Sequence, residues 1–443
     1  MKENVLHFIW ENGLFDKQKL KTENGESVRI IHAGTLNTDS GPDFFHAKIQ
    51  INQIVLVGNI ELHIDGKDWY KHAHHLDEAY KNVILHVVFH SPQKTIVKGL
   101  EIPTLVIGDV LEKKFWHTYQ KLSLQNKAFP CASQIENVPA SVIQAQWDIA
   151  AWKRLEEKAE HFNVLYNLAG NRIDHAFIIQ LFRSFGGGIN NEAAQMLGMR
   201  LPMRLVYRYM HSRFQLEALI LGMSGLLAKE SEDAYFIELE KEFRYMKNQF
   251  QLQELKTSMW KFSKTRPWNF PTIRLAQLAA LLHKNPRIIQ EIFRAESRKE
   301  LENIFECELS PYWQNHFSPG KKSKVKQDQI SKDFKKQIII NAVIPLIVWD
   351  AIQHQKSELI HKAMDLLQSL PFENNKVSRI FSTDSIPKNN ALDSQAGYHQ
   401  LHRFCHKKLC LKCKIGVHIL RADSEDNAET QQSQEENKNL IKT

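Results

Sequence analysis

The sequence predicts an α+β protein in which an N-terminal domain ordered α-β-β-β-α-β precedes a mostly α-helical region. Three observations predict it. Short, β-branched, alternating segments fill the chain up to about residue 110. From about residue 138 the apolar residues recur at helical spacing instead. The 443 residues are 43% hydrophobic and 24% charged, ordinary values that exclude a fully disordered or fibrous chain.

The elements follow in order. Val5–Trp10 reads as a short helix and Val28–His32 as a strand. Gly34–Gly41 has loop composition. Phe44–Ile51 is the second strand and Gln53–Ile64 the third, with Ile54, Leu56, Gly58, Ile60 and Leu62 on one face. Asp68–Asn82 has helical composition, and Val83–His90 is a β-branched strand. Thr95–Val97 and Thr104–Ile107 are shorter strands. Trp152, Leu155, Ala159 and Phe162 then step as a buried helical stripe. Further helices are expected around 174–185, 190–198, 204–228, 232–255, 272–282 and 286–296, and again over 338–370 and 398–411. The predicted boundaries are an α/β domain over 1–130, a helical domain over 131–320, a Lys-rich linker over 321–336, a helical segment over 337–420 and a disordered polar tail over 421–443.

The longest apolar runs, Ile338–Ile340 and Val343–Val348, fall short of the roughly 20 residues of a membrane span. Met1–Asn4 opens no apolar leader. The expectation is a cytoplasmic protein without a membrane partner. Net charge is +8. Residues 1–130 are balanced, with 15 basic and 15 acidic side chains, whereas 131–420 hold 40 basic against 29 acidic. A basic middle beside a neutral first domain suits a polyanion, nucleic acid above all; it also suits a modestly basic protein with no such partner.

Histidine is the unusual count: 10 of 21 lie in the first 130 residues, six of them between His63 and His90. Asp43 opens the second strand after Gly41-Pro42. Glu61 and His63 are i and i+2 on the third, so they share a face. If the two strands form a hairpin, Asp43 and Glu61 meet at its open end, and two converging carboxylates make a Mg²⁺ or Mn²⁺ site. His63 could position or deprotonate a water there. Otherwise Glu61 and His63 are the polar face of a strand and Pro42-Asp43 is a turn. On a helix His72 would share a face with His75, and His74 with Asp77; His86 lies on the next strand. These are accessory candidates, surface residues, or the makings of a separate site for another hydrolase.

Pro42-Asp43 and Glu61-Leu62-His63, within this order of elements, resemble the PD-(D/E)XK nuclease superfamily over residues 5–90. The resemblance implies a restriction-endonuclease-like core, a divalent cation on Asp43 and Glu61, and phosphodiester hydrolysis. His63 stands where that pattern has lysine, a departure that favours a non-catalytic binding or scaffold protein with a degenerate core. Glu11 is the candidate for the accessory acid this fold sometimes carries. Read whole, through Asn37–Phe44, Gly58–His63, Asp68-Trp69, Val83–Val88, Arg266–Pro271 and Cys405–Gly416, the chain resembles an uncharacterised bacterial family defined only as a domain of unknown function.

The C-terminal Cys405-x₄-Cys410-x₂-Cys413, followed by Gly416, resembles half of a zinc knuckle. Cys131 is the leading fourth ligand, with His402 and His406 as local alternatives. Four thiolates suit Zn²⁺ or, second, a [4Fe–4S] cluster, which staples some nucleases of the resembled superfamily. Without a metal they are buried or incidental thiols. Finally, Lys261, Lys264, Arg266 and Arg274 alternate with Trp260, Phe262, Trp268 and Phe270. Lys261, Lys264, Arg266, Trp268 and Arg274 are the candidates to hold phosphates and stack bases. The competing reading is a proline-shaped link between helices with its aromatics in the core.

Overall fold

The alternating N-terminal segments form a six-stranded sheet in a computed structural model that describes residues 2–124, 128–227, 232–324, 326, 328–381 and 383–422. The architecture is mixed α+β. The chain divides into two compact units. Unit 1 gathers Met1–Gln146, Ser382–Ile386 and Gln400–Thr443; unit 2 is Trp147–Phe381 with Pro387–His399.

In unit 1, α1 (Glu3–Asn12) buries Val5, Leu6, Phe8, Ile9 and Trp10. Four strands follow: β1 (Val28–His32), β2 (Thr35–Leu36), β3 (Phe44–Ile51) and β4 (Ile54–Asp65). After α2 (Asp68–Lys71) come β5 (Val83–His90), the hairpin of β6 (Thr95–Val97) with β7 (Leu100–Ile102), β8 (Thr104–Val106) and α3 (Lys113–Leu124). The sheet order is β1-β3-β4-β5-β8, with β2 on β3. The β3–β4 pair is antiparallel, and β4–β5 and β5–β8 are parallel. Gly58 is required where β5 begins beside β4, since a Cβ there would sit 2.4 Å from Ile84 and 2.6 Å from the Asn82 carbonyl.

The expected helix over 68–82 is broken. It becomes α2 and two short 3₁₀ turns, His74–Leu76 and Glu78–Tyr80. Ala73 takes a left-handed conformation at φ 59°, which no helix interior accommodates, and Asp77 caps the second turn by accepting the Ala79 N–H.

Unit 2 is helical. Its helices are α4 (Ala140–Leu168, which begins in unit 1), α5 (Ile173–Phe185), α6 (Gly187–Arg200), α7 (Met203–Tyr209), α8 (Arg213–Met223), α9 (Ala234–Phe250), α10 (Pro271–Lys284), α11 (Ile288–Arg294) and α12 (Arg298–Ile304). After the two-stranded β9 (His316–Ser318) and β10 (Lys321–Lys322) come α13 (Lys332–Ile338), α14 (Ile344–Gln353), α15 (Ser357–Ser369), α16 (Lys376–Ile380) and α17 (Ala391–His399). Phe177, Phe182, Leu219, Leu278, Ile339 and Ile347 are among its fully buried core. The single helix expected over 204–228 is two, because the Ser212 side chain accepts the Gln215 N–H and starts α8 afresh. The expected linker over 321–336 is structured at both ends, in β10 and in α13, which Ser331 caps at Phe334.

α13 and α14 join through a π-turn at Ile339–Val343. The resulting Lys332–Gln353 segment is long and apolar enough, by length and composition, to cross a membrane, which the short apolar runs did not foretell. Its most apolar window is 72% buried inside the fold, as a core helix is. The tail expected to be disordered lies, from residue 423 onward, outside the described residues.

Candidate metal and catalytic site

The site forms where β3 and β4 separate. A bulge between Phe44 and Ala47 bends the strand, and Asp43 and Glu61 cross-brace it. Glu61 Oε2 accepts the Asp43 N–H at 3.0 Å, and Asp43 Oδ2 accepts the Leu62 N–H at 2.9 Å. Each carboxylate thus satisfies a backbone donor of the neighbouring strand. Neither Glu61 nor His63 is the polar face of an exposed strand: they are 5% and 1% exposed. The segment after β4 folds over them.

The left-handed residue Ala73 produces this cover. In a continuous helix residues i and i+2 point apart, but here His72 and His74 both turn toward His63. One ligand nitrogen from each of the three rings lies within 4.8 Å of the others. Glu61 Oε1 faces His74 Nε2 at 3.3 Å and His63 Nε2 at 3.6 Å. His74 stacks on Tyr80 with ring centroids 3.9 Å apart, and buried Trp69 lies edge-on to His63 and His74. His75 leaves the cluster and packs on Tyr70. Asp77 is spent as a cap.

A relay behind His63 fixes its ring. The Thr95 hydroxyl donates to the Gln93 carbonyl at 3.1 Å, so His86 Nδ1, 2.8 Å away, donates to Thr95. His86 Nε2 then accepts from His63 Nδ1 at 2.9 Å. Assigned through this network, neutral His63 carries its lone pair on Nε2, the atom facing Glu61. Burial, then the neighbouring rings His86 and His74, lower the His63 pKa to about 2, and burial with His74 lowers that of His86 to about 4. His74 is also lowered by burial, although Asp43 opposes this. Burial, and after it the Asp43 charge, push Glu61 far above the ordinary carboxylate range.

Sequence reasoning missed His7. It stands on α1 with Nε2 3.2 Å from Asp43 Oδ2. Burial alone would lower its pKa, but the Asp43 hydrogen bond and charge prevail and raise it. The signal was available: Glu3, His7 and Glu11 follow one another at i+4 on an amphipathic helix. Glu11, the expected accessory acid, is exposed one turn beyond His7. Thr95 also escaped notice, since a threonine in a short strand carries no mark of a histidine partner.

The fit to a cation is supported by the donor set and by His74 Nε2, a buried nitrogen without a hydrogen-bond partner. Three converging imidazoles, with the Glu61 carboxyl facing two of them, suit Mn²⁺ or Zn²⁺ better than Mg²⁺, which prefers an all-oxygen shell. That differs from the oxygen-ligated Mg²⁺ expected from Asp43 and Glu61 alone.

The aromatic and basic stretch divides. Lys261, Lys264, Arg266 and Trp268 are exposed, with the Arg266 guanidinium 5.7 Å from the Trp268 ring centre. Arg274 is a correction. It is buried, stacked 3.4 Å over Phe334 and bonded to Gln277, which withdraws it from any polyanion; burial lowers its pKa to about 9. Trp260 is buried and donates to the Ser224 carbonyl, and Phe262 and Phe270 pack on the core of unit 2. Of the cysteines, Cys131, Cys405, Cys410 and Cys413 all belong to unit 1. His402 and His406 pair edge to face with each other, and His406 is exposed.

In comparisons with known proteins, residues 3–376 match the family described as protein of unknown function (DUF2851). No curated protein and no solved structure matches the chain.

Proposed function

The chain belongs to the DUF2851 family, and from that premise we propose that unit 1 is a metal-dependent phosphodiesterase acting on nucleic acid. The observation that carries this reading is the convergence of Glu61 Oε1 with the His63 and His74 nitrogens, 3.6 and 3.3 Å away, beside Asp43. Either a proton on Glu61, whose pKa burial raises, or a divalent cation reconciles these groups, and this reading takes the cation. The order α1, β1, β3, β4, α2, β5, with an antiparallel hairpin and then a parallel crossover, supports the nuclease-like resemblance, as do Pro42-Asp43 and Glu61-x-His63.

Glu61, His63, His72 and His74 would hold the cation, with Asp43 at its side. A bound divalent ion there supplies Lewis acidity toward a phosphoryl oxygen and neutralises developing charge. The chain's own groups do the rest. His86 and Thr95 hold the His63 ring with Nε2 turned inward, and Tyr80 holds His74 by stacking. His63, spent as a ligand, is not the base that its position on the strand suggested. Asp43, partly open to solvent and faced by His7 Nε2, is the group placed to orient a water. Exposed Lys261, Lys264, Arg266 and Trp268 are the candidate strand contacts.

The test is cleavage of single- and double-stranded DNA and RNA by the full chain with Mn²⁺, Zn²⁺, Mg²⁺ or EDTA. Cleavage with Mn²⁺ or Zn²⁺ that EDTA abolishes is expected. Binding without cleavage under every metal would replace this reading with the scaffold, and absence of both would end both.

A further inference from the structure

Four of the five cysteines share unit 1 although they come from opposite ends of the chain. Cys131 belongs to the N-terminal segment. Cys405, Cys410 and Cys413 belong to the C-terminal one, where α17 gives way to a π-turn at Gln400–Cys405. Such turns widen the helix by a residue and recur at functional sites. This one places the Gln400 side chain, 3% exposed, among sulfurs. Gln400 Nε2 lies 3.4 Å from Cys413 Sγ and 3.7 Å from Cys405 Sγ.

The orientation of that amide is fixed. Gln400 Oε1 accepts from Gln146 Nε2 at 2.8 Å, and Gln146 Oε1 accepts the Lys414 N–H at 2.9 Å. With its oxygen occupied, Gln400 must present its protons to the thiols. Cys413 also receives the backbone N–H groups of Gly416 and Ile415. Three donors thus converge on one buried sulfur, where they would stabilise a metal-bound thiolate, although without a metal burial outweighs them. The turn that makes this possible is tight: the Cys413 N–H reaches the Cys410 carbonyl at 3.2 Å, and a Cβ on Gly416 would lie 2.3 Å from that carbonyl oxygen.

Cys131 completes the group. Its sulfur lies within electrostatic reach of Cys405, Cys413 and Cys410, so the four are neighbours. Cys307 offers the contrast: a solitary buried thiol in unit 2, its sulfur 3.7 Å from the Gln277 carbonyl.

We propose that Cys131, Cys405, Cys410 and Cys413 hold a thiolate-ligated metal centre, a zinc ion or an iron–sulfur cluster, that ties the C-terminal segment of unit 1 to its N-terminal segment. Binding displaces the thiol protons to solvent and leaves sulfurs whose charge the cation and the N–H donors share. The centre is independent of the histidine site and structural in role.

The test uses the full chain carrying His74→Ala, so that the histidine site contributes no metal, purified without oxygen from cells supplied with zinc and iron. Elemental and sulfide analysis should give one zinc per chain and a colourless protein, or iron with matching acid-labile sulfide and broad visible absorption. Cys131→Ser and Cys413→Ser, each added to this background, should lose that metal. X-ray absorption on the His74→Ala protein gives an answer even where a serine variant does not fold: sulfur-only coordination supports the site, and a nitrogen- and oxygen-dominated shell overturns it. His74→Ala protein with neither metal, or metal that survives both serine variants, also overturns it.

Discussion

Glu61 in unit 1 and Glu217 in unit 2 are both buried carboxylates, and their neighbours treat them in opposite ways. Glu217, on α8, gives one oxygen to two donors: Oε2 accepts from Tyr235 Oη at 2.6 Å and Trp313 Nε1 at 2.9 Å. Glu61 is braced on one oxygen by a backbone N–H and confronted on the other by two imidazole nitrogens, with Asp43 beside it. Both have raised pKa values, chiefly through burial. A buried, perturbed carboxylate is therefore not by itself a functional signal. What separates the two is the chemistry of the neighbours: Glu217 faces hydroxyl and indole donors on one oxygen and has no hydrogen-bond partner on the other among the described residues, whereas Glu61 faces two imidazole nitrogens.

The largest expected effect breaks this comparison if it fails. Glu61→Gln should lower metal-dependent cleavage by at least about 10²–10³-fold, the scale for losing a charge-stabilising group at a reacting phosphate, with Asp43→Ala close behind. Glu217→Gln should leave kcat within about twofold, since a change in the core of unit 2, outside the proposed site, alters stability rather than transition-state binding. Steady-state kinetics on folded variants decide it. Equal losses at the two positions would mean that Glu61 is a structural carboxylate like Glu217.

The second effect sharpens the other side. Burial raises Glu217 from the ordinary 4.5 to about 7, against the hydrogen bonds of Tyr235 and Trp313. The unfolded chain then loses this proton at lower pH than the folded one. The contribution to stability is complete below pH 4.5 and disappears as pH rises to about 7, a change on the order of 3 kcal/mol. Denaturant unfolding at several pH values should show wild type falling relative to Glu217→Gln across this window. Parallel curves would mean that Glu217 is ionised in the fold without penalty.

A third, smaller effect tests the relay. His86 touches no proposed substrate; it positions His63 through Nδ1. His86→Ala should weaken Mn²⁺ or Zn²⁺ binding by about 10–100-fold, the range for residues behind a metal ligand. His86→Gln, which can still offer an acceptor, should recover part of it. Calorimetry reads this without reference to activity, and unchanged affinity would remove His86 from the site.

The sequence made some of this legible and hid the rest for physical reasons. Strand alternation located β1, β3, β4 and β5, and the i, i+2 rule correctly put Glu61 and His63 on one face. The pairing of His72 with His74 was hidden because composition reads 68–82 as helix. A single left-handed alanine, which no propensity scale announces, interrupts the helix there. His7 was hidden because its partner Asp43 is distant in sequence and meets it only through packing of α1. Arg274 misled because a basic residue among aromatics reads as an exposed contact, whereas Phe334 and Gln277 enclose it.

That last contrast, exposed Arg266 against buried Arg274, carries the smallest expected effect. If unit 2 holds a nucleic acid strand, Lys261, Lys264 and Arg266 are open to phosphates while Arg274 is not. Replacing the three with alanine should weaken binding about equally for all sequences. It should also flatten the dependence of log affinity on log salt by about 1 for each phosphate no longer neutralised. Arg274→Ala should leave that slope unchanged and lower thermal stability instead, because it empties a buried stacking position and strands Gln277. Affinity titrations at several salt concentrations distinguish the two. An unchanged slope in the triple variant would mean that the exposed cations of this loop are only solvated surface, and the strand-binding face would have to be sought elsewhere in the basic region 131–420.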